Sequence, residues 1–161
     1  MAVLPTDLKF YESLDTSSLG GGISTFVVPT GLNLFYDDVD FDEALTGSTS
    51  YRCFYVKNEN LSDTYTGAAI YIAVRTPSPS TSCELGLGTS GLNGTEQSIT
   101  AEEIAPVGVN FFATSEGSPL AIGDLGPNEY YPVWIKRIVA PEAAGASNDY
   151  VVIGLTGDGG P

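Results

Sequence analysis

Residues 51–58, with the sequence YRCFYVKN, constrain the fold more than any other stretch of the chain. Their alternating faces are both largely hydrophobic, and a pleated strand tolerates this only when other layers cover both faces. The residues on the two faces are Tyr51, Cys53 and Tyr55 on one side and Phe54 and Val56 on the other. This pattern predicts a strand in the middle of a sheet.

The rest of the chain consists of short strand-like runs separated by turn residues, and nothing longer than one turn has helical period. Short strands with frequent turn signals and no helices indicate an all-β antiparallel β-sandwich instead of an α/β fold. Trp134 is expected in its core. The predicted strands besides 51–58 are residues 8–11, 23–28, 32–35, 68–74, 83–88, 107–112, 131–139 and 150–155.

Three further predictions concern the connections between strands. Residues 68–74 follow the central strand after a polar turn, so the two strands can pair across that turn. The small-residue segment 140–148 is expected to be a hairpin loop between the last two strands. Residues 100–103, Thr-Ala-Glu-Glu, have the composition of a helix N-terminus and predict one short helical turn before Pro106.

The N-terminal part of the chain has two interpretations. Residues 1–22 are an arm or edge strand that ends in a glycine joint at residues 20–22, or residues 8–11 form a first strand that folds onto its own domain. An arm of this kind can dock on a neighbouring subunit. The length fits one β-sandwich domain, residues 23–156, followed by a glycine-rich flexible tail at residues 157–161.

The charge of the chain excludes two classes of partner. There are 20 acidic and 6 basic residues, which give a formal net charge of −14. Arg52, Arg75 and Lys136 lie in or beside apolar runs, where they cannot form a phosphate-binding stripe. An acidic surface also repels anionic lipid, and no run reaches the roughly 18 apolar residues of a membrane span. We therefore expect neither nucleic acid nor a membrane as a partner.

The chain contains no histidine, the commonest general base and metal ligand, and no phosphate-binding or nucleophile motif. An enzyme is therefore not expected, and the sequence assigns no catalytic, cofactor-binding or metal-binding residue. The first residues lack a basic region followed by an apolar run, which predicts synthesis in a cytosol without a secretory signal. In such a reducing compartment Cys53 and Cys83 are expected to be buried thiols, with a bridge between two sheets as the alternative.

The acidic segment 37–43 is the densest cluster of chemically active side chains. Asp38, Asp40 and Asp42 have the one-three-five spacing of a calcium loop, but Glu43 stands where such a loop needs glycine. A looser calcium site between sandwich loops and a solvated acidic turn between two strands both stay open. Adjacent acids in one loop do not supply the opposed carboxylates that glycoside hydrolysis requires.

Residues 34–39, 47–58 and 125–137 together resemble small immunoglobulin-like structural proteins of tailed bacteriophages. In that family of sandwiches, a turn similar to Leu-Gly-Pro-Asn-Glu at 125–129 carries the chain from one sheet to the other. The resemblance implies an immunoglobulin-like β-sandwich and a virion component without catalytic residues or cofactors. Its foremost implication is a decoration, or cement, protein that stabilises the outer face of the capsid by binding the major capsid protein, with a homotrimer as one oligomeric state.

The alternative within the same resemblance is a tail or baseplate module that binds other virion proteins or host glycans. Exposed tyrosines such as Tyr130 and Tyr131, together with the 37–43 segment, would be its sugar-binding surface. Assembly in the host cytoplasm and a place on the outer surface of the virion suit an acidic chain, because its field would be unfavourable next to packaged DNA.

Overall fold

The computed structural model describes residues 2–29, 35–146 and 149–160. Within these residues the fold is mostly β-structure, with one short α-helix and two 3-10 turns. The strands are β1 (Leu8–Ser13), β2 (Ile23–Val27), β3 (Ser48–Asn58), β4 (Tyr65–Val74), β5 (Thr81–Leu87), β6 (Leu120–Leu125), β7 (Tyr130–Val139) and β8 (Val152–Asp158). The helix is α1 (Phe41–Thr46), and the 3-10 turns are Pro5–Asp7 and Thr16–Ser18.

The strands form two antiparallel sheets that pack face to face. The larger sheet has the order β2-β1-β3-β7-β5, and the smaller has the order β6-β4-β8. β3 lies in the middle of the larger sheet and pairs with β7 along almost its whole length, from Ser48 opposite Val139 to Lys57 opposite Tyr130. The predicted all-β sandwich and the predicted central strand are both confirmed.

Two hydrophobic cores cover the two faces of β3, as its sequence requires. On the inner face, Phe54 and Val56 are fully buried against the smaller sheet. On the outer face, Tyr55 packs with Trp134 beneath residues 88–112, which we call the cover segment. Trp134 is therefore buried as expected, but on the side of the sheet that faces away from the sandwich interior. Full burial of side chains of this size contributes about 1.5–3 kcal/mol each.

A buried carboxylate, Glu96, fixes the cover segment on this outer core. Glu96 accepts hydrogen bonds from the Ser90 N–H and hydroxyl, both at 2.9 Å, and from the Thr89 hydroxyl at 3.1 Å. Its own N–H donates to the Tyr55 hydroxyl at 3.1 Å. Burial alone would raise the pKa of Glu96, but the hydrogen bonds from Ser90 and Gln97 hold that pKa below its ordinary value. The carboxylate form is thus the one that the fold is built around.

The turn after β3 leads the chain into the other sheet, which corrects the expectation that residues 51–58 and 68–74 pair. β3 belongs to the larger sheet and β4 to the smaller one, so no ladder joins them. Asn58, which is fully buried, links the two sheets here: its Nδ2 donates to the carbonyls of Asp63, Leu125 and Gly126 at 3.0, 2.9 and 3.2 Å. Its Oδ1 accepts from the Asn60 N–H at 3.0 Å.

Of the predictions for the two later connections, the one for β6 to β7 is confirmed and the one for β7 to β8 is wrong. The turn at 125–129 carries the chain from β6 in the smaller sheet to β7 in the larger, as its sequence indicates. Residues 140–148 do not form a hairpin loop, because β7 and β8 lie in different sheets. Residues 147–148 are outside the described part of the chain.

The N-terminal strand takes the second of its two interpretations. β1 lies between β2 and β3 inside the larger sheet of its own chain. The glycine segment is closely packed, because a side chain at Gly20 would collide with the carbonyl of Gln97, and the Tyr55 hydroxyl donates to the Gly21 carbonyl. Gly20 and Gly21 have φ values of 108° and 77°, which glycine adopts without strain. These residues join β1 to β2 as a packed turn.

Two local predictions in the cover segment fail, and a third, before α1, lies mostly outside the described residues. Residues 107–112 form no strand, and only an isolated bridge links Phe112 to Leu85. Residues 100–103 form a hydrogen-bonded turn, with Ile104 N–H on the Ala101 carbonyl at 3.1 Å, and not a helix. Of the predicted strand 32–35, residues 32–34 lie outside the described residues, and Phe35 is in a bend.

Candidate contact surface

One end of the sandwich carries six exposed large hydrophobic side chains, and others lie on the cover segment, residues 88–112, and at Leu4, Leu14, Phe26, Val27 and Leu61. At this end β3 begins, β7 ends, and the chain passes through α1 and through the loops that follow β4 and β7. We call it the α1 end. Its exposed hydrophobic residues are Val39, Phe41, Leu45, Val74, Tyr150 and Val152. A second, looser group of exposed hydrophobic side chains lies on the cover segment, at Leu92, Ile104, Val107 and Phe112.

Helix α1 begins with a capping box. The Glu43 N–H donates to Asp40 Oδ1 at 2.8 Å, and the Asp40 N–H donates to Glu43 Oε2 at 3.1 Å. Two of the amide groups at the N-terminus of a helix, which otherwise lack partners, are satisfied in this way. The helix ends before Gly47, whose φ of 78° disfavours any other residue and whose Cβ position would lie in tight contact with Val139 and Pro141. These two ends define a helix of 6 residues.

Contacts to the sheet and to the next loop hold α1 in place. Glu43 Oε1 accepts from Arg137 on β7 and from the Ser48 hydroxyl, both at 2.9 Å. The N–H groups of Glu142 and Ala143 donate to the last carbonyls of the helix at 3.2 and 2.8 Å. Such a short helix is not stable alone in water, so these contacts are what maintain it.

A cation–aromatic cluster anchors the segment that leads into α1. The guanidinium groups of Arg52 and Arg137 lie 5.2 and 4.6 Å from the centre of the Tyr36 ring. The Tyr36 hydroxyl donates to the Ile135 carbonyl at 2.7 Å, and burial raises the pKa of this hydroxyl well above its ordinary value. Arg137 also donates to the Asp37 carbonyl at 2.8 Å. The backbone of the acidic segment is therefore fixed against the sheet from its first residue.

The exposed side chains of α1 are thus presented on a rigid support. Phe41 is 78% exposed and Leu45 is 53% exposed, and they lie one helical turn apart on the same face. A surface that is already in its binding conformation loses less entropy when a partner docks. The arrangement therefore suits binding to another macromolecule.

The acidic segment 37–43 has structural tasks in this arrangement. Asp40 is the helix cap, and Glu43 binds Arg137 and completes the capping box. Asp38 and Asp42 are exposed. Across residues 2–29, 35–146 and 149–160, no three His, Cys, Asp or Glu side chains are grouped so that they could hold a metal ion. The sequence analysis does not predict α1. The pattern Asp-x-x-Glu at 40–43 is the capping-box pattern that begins a helix, so it is the local signal that indicates α1.

Two concave regions have linings that include no residue of α1. One, of about 400 Å³, lies at the opposite end between the N-terminal segment and β8; its lining includes Val3, Leu8, Phe10, Tyr65 and Leu155. The other, of about 610 Å³, is an open cleft between residues 12–18 and 35–38, with Arg52 in its lining. Arg52 is engaged in the fold, because it pairs with Glu102 and donates to the Phe35 carbonyl at 2.9 Å.

The remaining candidate residues are buried in the fold. Cys53 belongs to the outer core and Cys83 to the inner core, so they lie on opposite faces of the larger sheet as free thiols. Burial raises the pKa of Cys83 to about 11 and that of Cys53 well above its ordinary value. Tyr130 and Tyr131 are half-buried, and the Tyr130 hydroxyl donates to the Asn93 carbonyl at 3.3 Å.

The helices of the described residues are short, and none is long and apolar enough to cross a bilayer. No family model, curated protein or solved structure matches the chain. What the α1 end can do follows from its own geometry. A fixed helix with apolar side chains among acidic ones can bind the surface of another protein.

Proposed function

We propose that the chain is a structural protein of a bacteriophage virion that decorates the outer face of the capsid by binding the major capsid protein. The observation that carries this proposal is the α1 end, where Phe41 and Leu45 are exposed on a helix that Arg137 and the capping box hold rigid. Binding at this end is the whole mechanism, and no residue acts as a catalyst.

The charge distribution supports a position outside the shell. The chain carries a net charge of −14, which is repelled by the packaged nucleic acid. Several of its cations are engaged within the fold: Arg52 pairs with Glu102, Lys136 with Glu84 and Arg137 with Glu43. Such cations do not provide the stripe of phosphate contacts on which nucleic-acid binding depends.

Decoration stabilises a shell by mass action. A protein that binds assembled subunits and not free ones shifts the equilibrium toward the assembled state. A preformed contact end lowers the entropy cost of such binding, because the site needs no folding step when it docks.

The alternative, a tail or baseplate module that binds host glycans, has less support. Tyr130 and Tyr131, the candidate sugar platform, are half-buried, and the Tyr130 hydroxyl donates to the Asn93 carbonyl at 3.3 Å. Tyr150 is exposed at the α1 end, but a single ring does not make a platform.

Copy number in the particle tests the proposal. Quantitative mass spectrometry of virions made from the genome that encodes this chain should give a ratio to the major capsid protein within a few-fold of one. A few copies per particle would replace decoration by a tail location. Absence of the chain from purified particles would refute a virion role altogether.

A further inference from the structure

The exposed side chains of α1 are arranged so that they can insert into a pocket on a partner protein. Phe41 and Leu45 are separated by one helical turn, and Val39 lies just before the helix cap. Aromatic side chains that enter a pocket at the centre of an interface carry a large share of its binding energy. Phe41 is the most exposed large side chain at this end, and both ends of its helix are held by hydrogen bonds and close packing.

Exposed acidic residues flank this anchor in the sequence. Asp38, Asp40 and Asp42 alternate with Val39 and Phe41 along the chain, and all three are exposed. Arg137, the cation that binds α1, is only 7% exposed and pairs with Glu43, so it does not neutralise the outer surface. Arg75 is exposed at the same end, and its guanidinium donates to the Thr114 carbonyl at 3.3 Å.

The charge argues against a second copy of this chain as the occupant. Two α1 ends that face each other would bring like charges together, and each chain carries a net charge of −14. Juxtaposed like charges are a common way in which interfaces exclude wrong partners. The complementary partner has the opposite sign around an apolar centre.

We infer that the α1 end docks into an apolar recess rimmed by Lys and Arg on the partner protein, with Phe41 as the central anchor. This inference rests on the proposed function, under which the partner is the major capsid protein of the shell. The apolar centre provides the affinity, and the acidic rim provides the orientation and the rate of association.

The test measures binding of the purified chain to heads from a phage that lacks its gene, by co-sedimentation at increasing NaCl. Phe41→Ser and Leu45→Ser remove the anchor, and Leu61→Ser, which changes a side chain that is 83% exposed at the opposite end, is the matched control. Asp42→Asn removes one rim charge, with Glu103→Gln on the cover segment as its control.

We expect Phe41→Ser to weaken binding at least about tenfold and Leu61→Ser to leave it within about twofold. We expect wild-type binding to weaken between about 0.05 and about 0.5 M NaCl, and Asp42→Asn to reduce this salt dependence while Glu103→Gln does not. Urea unfolding followed by Trp134 fluorescence checks that each variant is folded.

The outcomes separate the inference from the proposed function. If the wild-type chain does not bind the heads, the proposed function fails, and the inference fails with it. If the wild type binds but folded Phe41→Ser and Leu45→Ser variants bind equally well, decoration stands and the α1 end is not the contact. If binding depends on Phe41 but does not weaken with salt, the basic rim is wrong.

Discussion

Asn58 is the residue whose replacement most directly tests the account of how the two sheets are joined. Asn58→Ala removes the hydrogen bonds to the carbonyls of Asp63, Leu125 and Gly126 and the one from the Asn60 N–H. The amide has two N–H groups for three carbonyls, so we count two donated bonds and one accepted bond. At about 1 kcal/mol each, their loss lowers the free energy of unfolding by about 3 kcal/mol.

This change is a large part of the stability of a typical domain, which is about 5–15 kcal/mol. It corresponds to a decrease in melting temperature of about 6–12 °C for a chain of this size. Urea unfolding followed by the fluorescence of Trp134, which is fully buried and the only tryptophan, gives the free energy directly. Asn110→Ala, at an exposed position of the cover segment, is the control and should change stability by no more than about 0.5 kcal/mol. A decrease in unfolding free energy of less than about 1 kcal/mol for Asn58→Ala would refute the reasoning, because buried carbonyls that lose their hydrogen-bond donor destabilise the fold by more than this.

Three further predictions concern the buried groups. Because the pKa of Glu96 is lowered in the folded state, its contribution to stability is present above the ordinary pKa of 4.5 and is lost as the pH falls below that value. Glu96→Gln should therefore weaken the decrease in unfolding free energy at acid pH, measured by urea titrations between about pH 3 and pH 7, and an unchanged decrease would contradict this role of Glu96. Cys53 and Cys83 should resist a thiol-specific disulfide reagent at pH 8 until the protein is unfolded in urea, and rapid labelling of the native protein would contradict their burial. Gly20→Ala should lower the free energy of unfolding by at least about 2 kcal/mol, because the added Cβ would clash with backbone at a positive φ. Gly117→Ala, which has no atom near the added Cβ, should change that free energy by no more than about 1 kcal/mol, and equal effects of the two changes would show that the glycine turn is not tightly packed.

The sequence predicts the strands well where both faces of a segment are apolar. Residues 51–58 carry hydrophobic side chains on both faces of the predicted strand. A central strand covered on both faces buries the two sets, and the fold contains such a strand. The order of strands is less accessible, because pairing depends on which sheet a strand joins. The turn after Asn58 looks like a hairpin in composition, but the Asn58 side chain bonds to the opposite sheet, and no local pattern reports this.

The sequence indicates the candidate contact surface only in part. The acidic run at 37–43 has part of the spacing of a calcium loop, but its capping-box spacing is a local signal for α1. The exposure of Phe41 depends on where the helix lies on the sheet, and this is decided by Arg137, far along the chain. The cover segment shows the same limit: residues 107–112 alternate like a strand, yet they pack over the outer core without a ladder of their own.

The position of β3 between β1 and β7 also sets the order in which the molecule can fold during synthesis. β3 is made early, but the strand that pairs with nearly all of it ends at Val139. Pairings between segments so distant in sequence require the closure of long loops before they gain stability, and domains dominated by them fold in milliseconds to seconds. Most of the chain must therefore leave the ribosome before β3 can pair with β7. Until then, the two apolar faces of β3 are accessible to chaperones and to other nascent chains.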